Sequence, residues 1–211
     1  MTSIDNTRDY VQYLTHLYNL FNKRLWANGL PEVMITLLPT KNAYGHFSGY
    51  TNWISSSTDS KKYELNIDAL SLDNSPEAIC ATLIHEQCHL YAKIKGIIDT
   101  SDNHRYHNKN FKRIAQDHGL EVEHDEKIGW SLTTLDDDTK KYLKRVRLKE
   151  FELYRVPNST TTTKLLRFYC SRCDTVAWVS KRQQPDLICG GCGNKLLFTP
   201  PQPKRRKPRR G

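Results

Sequence analysis

Between Ser75 and Gly96 the chain reads SPEAICATLIHEQCHLYAKIKG, an apolar run that carries two histidines and a glutamate side by side. A hydroxyl residue, a proline and an acid open it, and these suit an N-cap, a first helical position and the positive end of a helix dipole. Gly96 supplies the stop. The spacing predicts a helix from Pro76 to Lys95. Because nearly every other position from Ala78 to Ala92 is apolar or small, that helix should be buried. Unpaired imidazole and carboxylate groups are costly in such a place, so His85, Glu86 and His89 need partners. Helical residues advance by about 100°, which puts His85 and His89 about 40° apart and Glu86 about 60° further round. Two imidazoles one turn apart suit a single metal ion, and the carboxylate beside them suits a water on that ion.

Catalytic zinc usually takes three protein ligands and leaves a position for water. The downstream candidates for the third are His104, His107, His118 and His124. A further helix is expected from about His104 to His118, with Phe111, Ile114 and Ala115 on one face and Gly119 as its stop. His118 then has a sufficient role at the negative end of that helix. His124 has no clear context.

The run HEQCHLY, then a loop, then HNKNF and a helix closing at HGLEVE, resembles the SprT/Spartan family of metalloproteases. The resemblance implies a third histidine that opens a helix and is followed four residues on by phenylalanine, usually as H-G-x-x-F. That pattern falls on His107 and Phe111. Asn108 stands where the family usually has glycine, and the preceding loop is slightly long, so His104 stays open as the alternative.

Near the C-terminus, Cys170-x-x-Cys173 and Cys189-x-x-Cys192 are separated by fifteen residues. This is the spacing of a four-thiolate structural zinc site, each pair on a tight turn and the intervening residues forming a β-hairpin. A module this small has no adequate hydrophobic core, so the metal would hold it together. Many members of the SprT family carry such a ribbon after the protease domain. Cys80 and Cys88, on the buried helix, read as small core residues.

An amphipathic helix is expected from about Thr7, ended by Asn28-Gly29, and three strands at Glu32–Pro39, Gly45–Ser55 and Lys62–Asp68. A basic helical stretch around Lys140–Lys149 reads as a solvated face. Of the formal net charge of +9, the last eight residues, KRRKPRRG, contribute six, which leaves +3 for the rest. Arg167, Arg172, Trp178, Lys181 and Arg182 in the ribbon, with Lys204, Arg205, Arg206, Lys207, Arg209 and Arg210 in the tail, are candidates for phosphate contact and base stacking.

The expectation is an α+β chain: a zincin-like metalloprotease core over residues 7–156, a linker at 157–164, a zinc ribbon at 165–198 and a basic tail at 199–211. One catalytic and one structural Zn2+ are expected. The start MTSIDNTRDY has no secretory pattern, and a monomer without membrane contact is expected, cytoplasmic and nucleoid-associated in a prokaryote or virus, nuclear in a eukaryote. Protein substrates follow from the protease reading. The resemblance implies that these are bound or crosslinked to DNA, single-stranded or damaged. The competing class is a nucleic-acid-binding ribbon protein whose zincin core is only a scaffold, but a scaffold has no use for Glu86.

Overall fold

In the computed structural model, which describes residues 6–40, 43–102, 105–146, 148–152, 154–155, 165–180 and 186–199, Asn6 caps α1 (Thr7–Leu25) by accepting the Asp9 amide. Tyr10, Leu14, Leu17, Tyr18 and Phe21 recur along α1 at helical spacing and are buried. The helix ends before Ala27 and Asn28, both at positive φ. Asn22 fixes the exit by bonding the Leu30 amide and carbonyl at 3.0 and 2.9 Å.

Four short strands follow: β1 (Val33–Thr36), β2 (Gly45–Phe47), β3 (Trp53–Ile54) and β4 (Lys61–Ile67). β4 is the centre, with β1 parallel to it and β2 and β3 antiparallel. The single strand expected across Gly45–Ser55 is therefore two. Between them Gly49 takes a φ of 69° and Ser48 Oγ turns back to the Tyr50 carbonyl at 2.8 Å, which takes the chain off the ladder.

α2 (Pro76–Ile94) begins with Ser75 Oγ accepting the Ala78 amide at 3.2 Å, and Gly96 follows its end at a φ of 65°. Leu83, Ile84 and Leu90 are fully buried, each stabilising the core by about 1.5–3 kcal/mol. Gln87 is fully buried too, donating to the Tyr18 carbonyl and accepting from the Trp26 indole, so it ties α2 to α1.

A second sheet, in the order β5-β6-β8-β7, is built from β5 (Thr100–Ser101), β6 (Tyr106–His107), β7 (Leu120–Asp125) and β8 (Gly129–Leu135). Between β6 and β7 lies α3 (Lys109–Asp117). It starts five residues later than the sequence predicts. Tyr106 and His107 are held by β5, and His107 pairs with Gly129 of β8, while Asn108 caps the helix by accepting the Asn110 and Phe111 amides. His107 thus sits on a strand ahead of the cap instead of opening the helix. α4 (Asp137–Val146) is the basic stretch, ending before Lys149. Among the described residues, no helix is long and apolar enough to cross a membrane.

These elements belong to one compact unit, Met1–Pro157; the other is Asn158–Gly211. In the second, β9 (Leu165–Tyr169) is flanked by β10 (Val176–Ser180) and β11 (Leu197–Thr199), both antiparallel to it. Among the described residues β10 pairs with β9 around the first cysteine pair, Tyr169 facing Val176 across the Cys170–Cys173 turn; residues 181–185, within the stretch expected to form a hairpin, lie outside them.

Candidate active site

α2 presents His85 and His89 one turn apart, and β6 brings His107 against them. The three Nε2 atoms form a near-equilateral triangle: His85 to His107 3.2 Å, His85 to His89 3.2 Å, His89 to His107 3.1 Å. Phe111 is the floor beneath them, its ring centroid 4.6, 4.8 and 4.6 Å from those of His85, His89 and His107. This gives the phenylalanine four residues after His107 a physical role.

Behind each ring stands an oxygen. Asp99 Oδ2 lies 2.6 Å from His89 Nδ1, Thr133 Oγ1 3.1 Å from His85 Nδ1, and the Ile128 carbonyl 3.4 Å from His107 Nδ1. These acceptors favour the proton on Nδ1, which turns three Nε2 lone pairs toward one another. Lone pairs at that separation repel unless a cation lies among them. Tetrahedral zinc, with bonds of about 2.0–2.1 Å to nitrogen, separates its ligand nitrogens by about 3.3 Å, so the donor set fits. Burial, and then the neighbouring imidazoles, hold His85 well below the ordinary histidine range and bring His107 down to about 4. Neutral imidazole is the ligating form.

Glu86, on the same helix, reaches the junction of α2 and β2. Burial raises its carboxyl to about 7, opposed by His89 and by the Phe47 backbone N–H. Gly45 leaves room for that carboxyl: a Cβ there would stand 2.8 Å from Glu86 Oε1. A nearly buried carboxylate beside three convergent imidazoles is equipped to take a proton from water.

His118 and His124 do not join the trio. His118 stacks on Trp26 at 3.7 Å and bonds the Ile114 carbonyl at 2.7 Å, and burial lowers its pKa, so it serves as a neutral cap. His124 bonds the Tyr106 hydroxyl at 3.0 Å and meets Trp130 edge-on. His104 lies outside the described residues.

In the second unit the Sγ atoms of Cys170, Cys173, Cys189 and Cys192 all lie within 4.8 Å of one another. The separations of 3.4, 3.4 and 3.6 Å between Cys170 and Cys192, Cys173 and Cys189, and Cys173 and Cys192 far exceed a disulfide bond of about 2.05 Å. They approach the edge of a four-thiolate zinc tetrahedron, about 3.8 Å for bonds of about 2.3 Å. The Arg172 amide lowers the Cys170 thiol. The Thr175 hydroxyl, then the Cys173 thiol and the Gly191 and Cys192 amides, bring Cys189 down to about 6.

The same unit has a polar-aromatic face. Cross-strand pairing sets Trp178 opposite Arg167, and Val176 and Leu197 opposite Tyr169. Paired residues share a side of the sheet, so these five form one surface. Phe168 and Ala177 point to the other side, where Phe168 packs with Cys170, Cys189 and Leu196. Trp178 is 57% exposed, Arg172 is exposed on the cysteine turn, and the Arg167 guanidinium is 6.0 Å from the Tyr169 ring. Lys181, Arg182, Lys204, Arg205, Arg206, Lys207, Arg209 and Arg210 lie outside the described residues.

Sequence reasoning missed Asp99, Thr133 and Gly45. Their roles come from tertiary approach, and none has a periodic signature. The SprT-like family model matches residues 14–127, from α1 to the turn between β7 and β8. No curated protein and no solved structure matches the chain.

Proposed function

The chain belongs to the SprT-like family, a metallopeptidase-type family, and from that premise we propose that it is a zinc-dependent endopeptidase with a zincin-type core, acting on proteins bound or crosslinked to DNA. The observation that carries the reading is the triangle of His85, His89 and His107 Nε2 atoms, with the Glu86 carboxylate near enough to interact electrostatically with His89. His85, His89 and His107 would hold the ion. When bound, zinc supplies Lewis acidity, polarising the scissile carbonyl and making the attacking water more acidic. Glu86 takes the proton from that water and delivers it to the leaving amine, so no covalent intermediate is needed.

The substrate segment is held by strand addition. β2 lies beside Glu86 and, among the described residues, pairs only with β4, so its free edge is the one a peptide extends. β1, the strand on the other side of β4, is the opposite edge of that sheet.

Cys170, Cys173, Cys189 and Cys192 would hold a structural zinc in the second unit. Its Arg167, Tyr169 and Trp178 face supplies a stacking surface flanked by positive charge, which suits single-stranded DNA. Lys181, Arg182 and the tail residues from Lys204 to Arg210 add phosphate contacts. The nucleic acid thereby brings the peptidase to its substrate.

The test is cleavage of a DNA-binding protein by the zinc-loaded chain, with and without single-stranded DNA, beside Glu86→Gln. Cleavage should rise with DNA and fall by at least about 10²–10⁴-fold in the variant, which keeps its metal. Binding of DNA with no cleavage under any condition would leave a nucleic-acid-binding module on a non-proteolytic scaffold.

A further inference from the structure

We propose that Asn108 is a positioning residue that presets the three-histidine site by clamping the segment that carries Asp99 to the segment that carries His107; the inference rests on reading those histidines as metal ligands. Asn108 sits where the sequence resemblance leads one to expect glycine, and the structure gives its side chain two tasks. Oδ1 caps α3 by accepting the Asn110 and Phe111 amides at 2.8 and 3.3 Å. Nδ2 reaches back to the Ile98 carbonyl at 2.9 Å. Asn110 Nδ2 bonds the same carbonyl at 2.9 Å, and the Asn108 amide donates to the Asp99 carbonyl, also at 2.9 Å.

Three hydrogen bonds therefore converge on Ile98 and Asp99, just after the Gly96 turn. One residue of that pair holds a ligand: the Asp99 carboxylate lies 2.6 Å from His89 Nδ1. The residue before Asn108 is another ligand, His107, whose ring meets those of His85 and His89. A displacement of the 97–99 segment would turn His89 through Asp99, and a displacement of the start of α3 would shift His107. The Asn108 amide links the two movements. Glycine would keep the backbone bond and tolerate the cap position, but it would lose the side-chain bond to Ile98 and both side-chain caps. Partners of metal-bound histidines that act at second hand typically change metal affinity by about 10–100-fold when removed, and a clamp on such a partner acts through the same path.

The test uses the full chain, stripped of metal and titrated with Co2+. The four-thiolate site reports by sulfur-to-metal charge transfer, which a nitrogen-ligated site lacks, so the two are resolved in one titration. Asn108→Gly should weaken Co2+ at the nitrogen site by about 10-fold or more and leave the thiolate site unchanged. Asn108→Ser separates the clamp from the cap, because its hydroxyl still caps α3 but presents no amide to Ile98. It should keep more of the metal-free thermal stability of the wild type than Asn108→Gly does and still lose affinity at the nitrogen site. Asp99→Asn should weaken the same site. Wild-type affinity in both Asn108 variants would overturn the clamp while leaving the metal site standing. A wild-type chain that takes up cobalt only at thiolates would overturn the clamp and the ligand reading together.

Discussion

At Gly45 the missing side chain makes room for the Glu86 carboxylate. A Cβ there would meet Glu86 Oε1 at 2.8 Å, Thr82 Cγ2 at 2.9 Å and the Asn66 carbonyl at 3.1 Å. The Asn66 carbonyl is sheet backbone and cannot retreat, so the glutamate must. Gly45→Ala should therefore lower kcat by about 10–100-fold, the scale of effect that a misplacement of about 1 Å produces in catalytic groups. The imidazoles do not touch Gly45, so metal content should stay at the wild-type level; full activity in this variant would remove Gly45 from the site. The candidate residues His85, Glu86, His89 and the four cysteines were legible because their spacing along the chain is itself the signal. Asp99, Thr133 and Gly45 were not, since each acts on a residue at least ten positions away. His107 and Asn108 were intermediate: the resemblance located them, but only the fold shows that Asn108 is a cap and that His107 precedes the helix.

At the scale of elements, α2 carries both the core and the site. Its ends were readable from Ser75, Pro76 and Gly96, and its burial from the absence of charge between Ala78 and Ile84. Leu83→Ala should destabilise the chain by about 2–5 kcal/mol, as a shift of the urea midpoint at unchanged slope. The short strands were less readable. The Gly45–Ser55 run has β-prone residues on both sides of Gly49, and a glycine inside a strand pattern marks a bulge as readily as a break. The start of α3 was obscured because β6 is fixed by register with β5 and β8, not by its own pattern. At the other end of α3, His118 stacks on Trp26 and its pKa is lowered mainly by burial. The unfolded chain thus binds a proton at His118, near pH 6.5, before the native state does, and stability falls as the pH drops below about 6.5. His118→Gln, compared with the zinc-loaded wild type by thermal melting between pH 7 and 5, should show a shallower loss. An equal slope would mean that His118 is exposed to protons in the native state.

At the scale of the molecule, the two units rest on different sources of stability, and removing metal should separate them. The first unit joins α1, α2, α3, β4 and β8 in one apolar cluster that includes Leu14, Phe21, Leu65, Leu83, Ile84, Leu90 and Phe111, all fully buried. Its imidazoles lie at the rim of that cluster, over Phe111, so loss of the ion leaves most buried apolar area in place. The second unit has only Phe168, Cys170, Cys189 and Leu196 as buried core residues among those described, and two of the four are themselves candidate ligands. Too little apolar surface is covered there among the described residues to offset the ordering of three strands, so a metal on the four thiolates would supply the difference. Strong chelation should therefore abolish the dispersed amide signals of the β9–β11 residues while those of α1, α2 and β4 persist. Cys189→Ser should do the same to the second unit even with zinc present. DNA-stimulated cleavage should disappear with those signals, whereas basal cleavage should return once zinc is restored to the Cys189→Ser chain, because His85, His89 and His107 are intact. If the second unit kept its signals without metal, its stability would have to come from something other than the four thiolates.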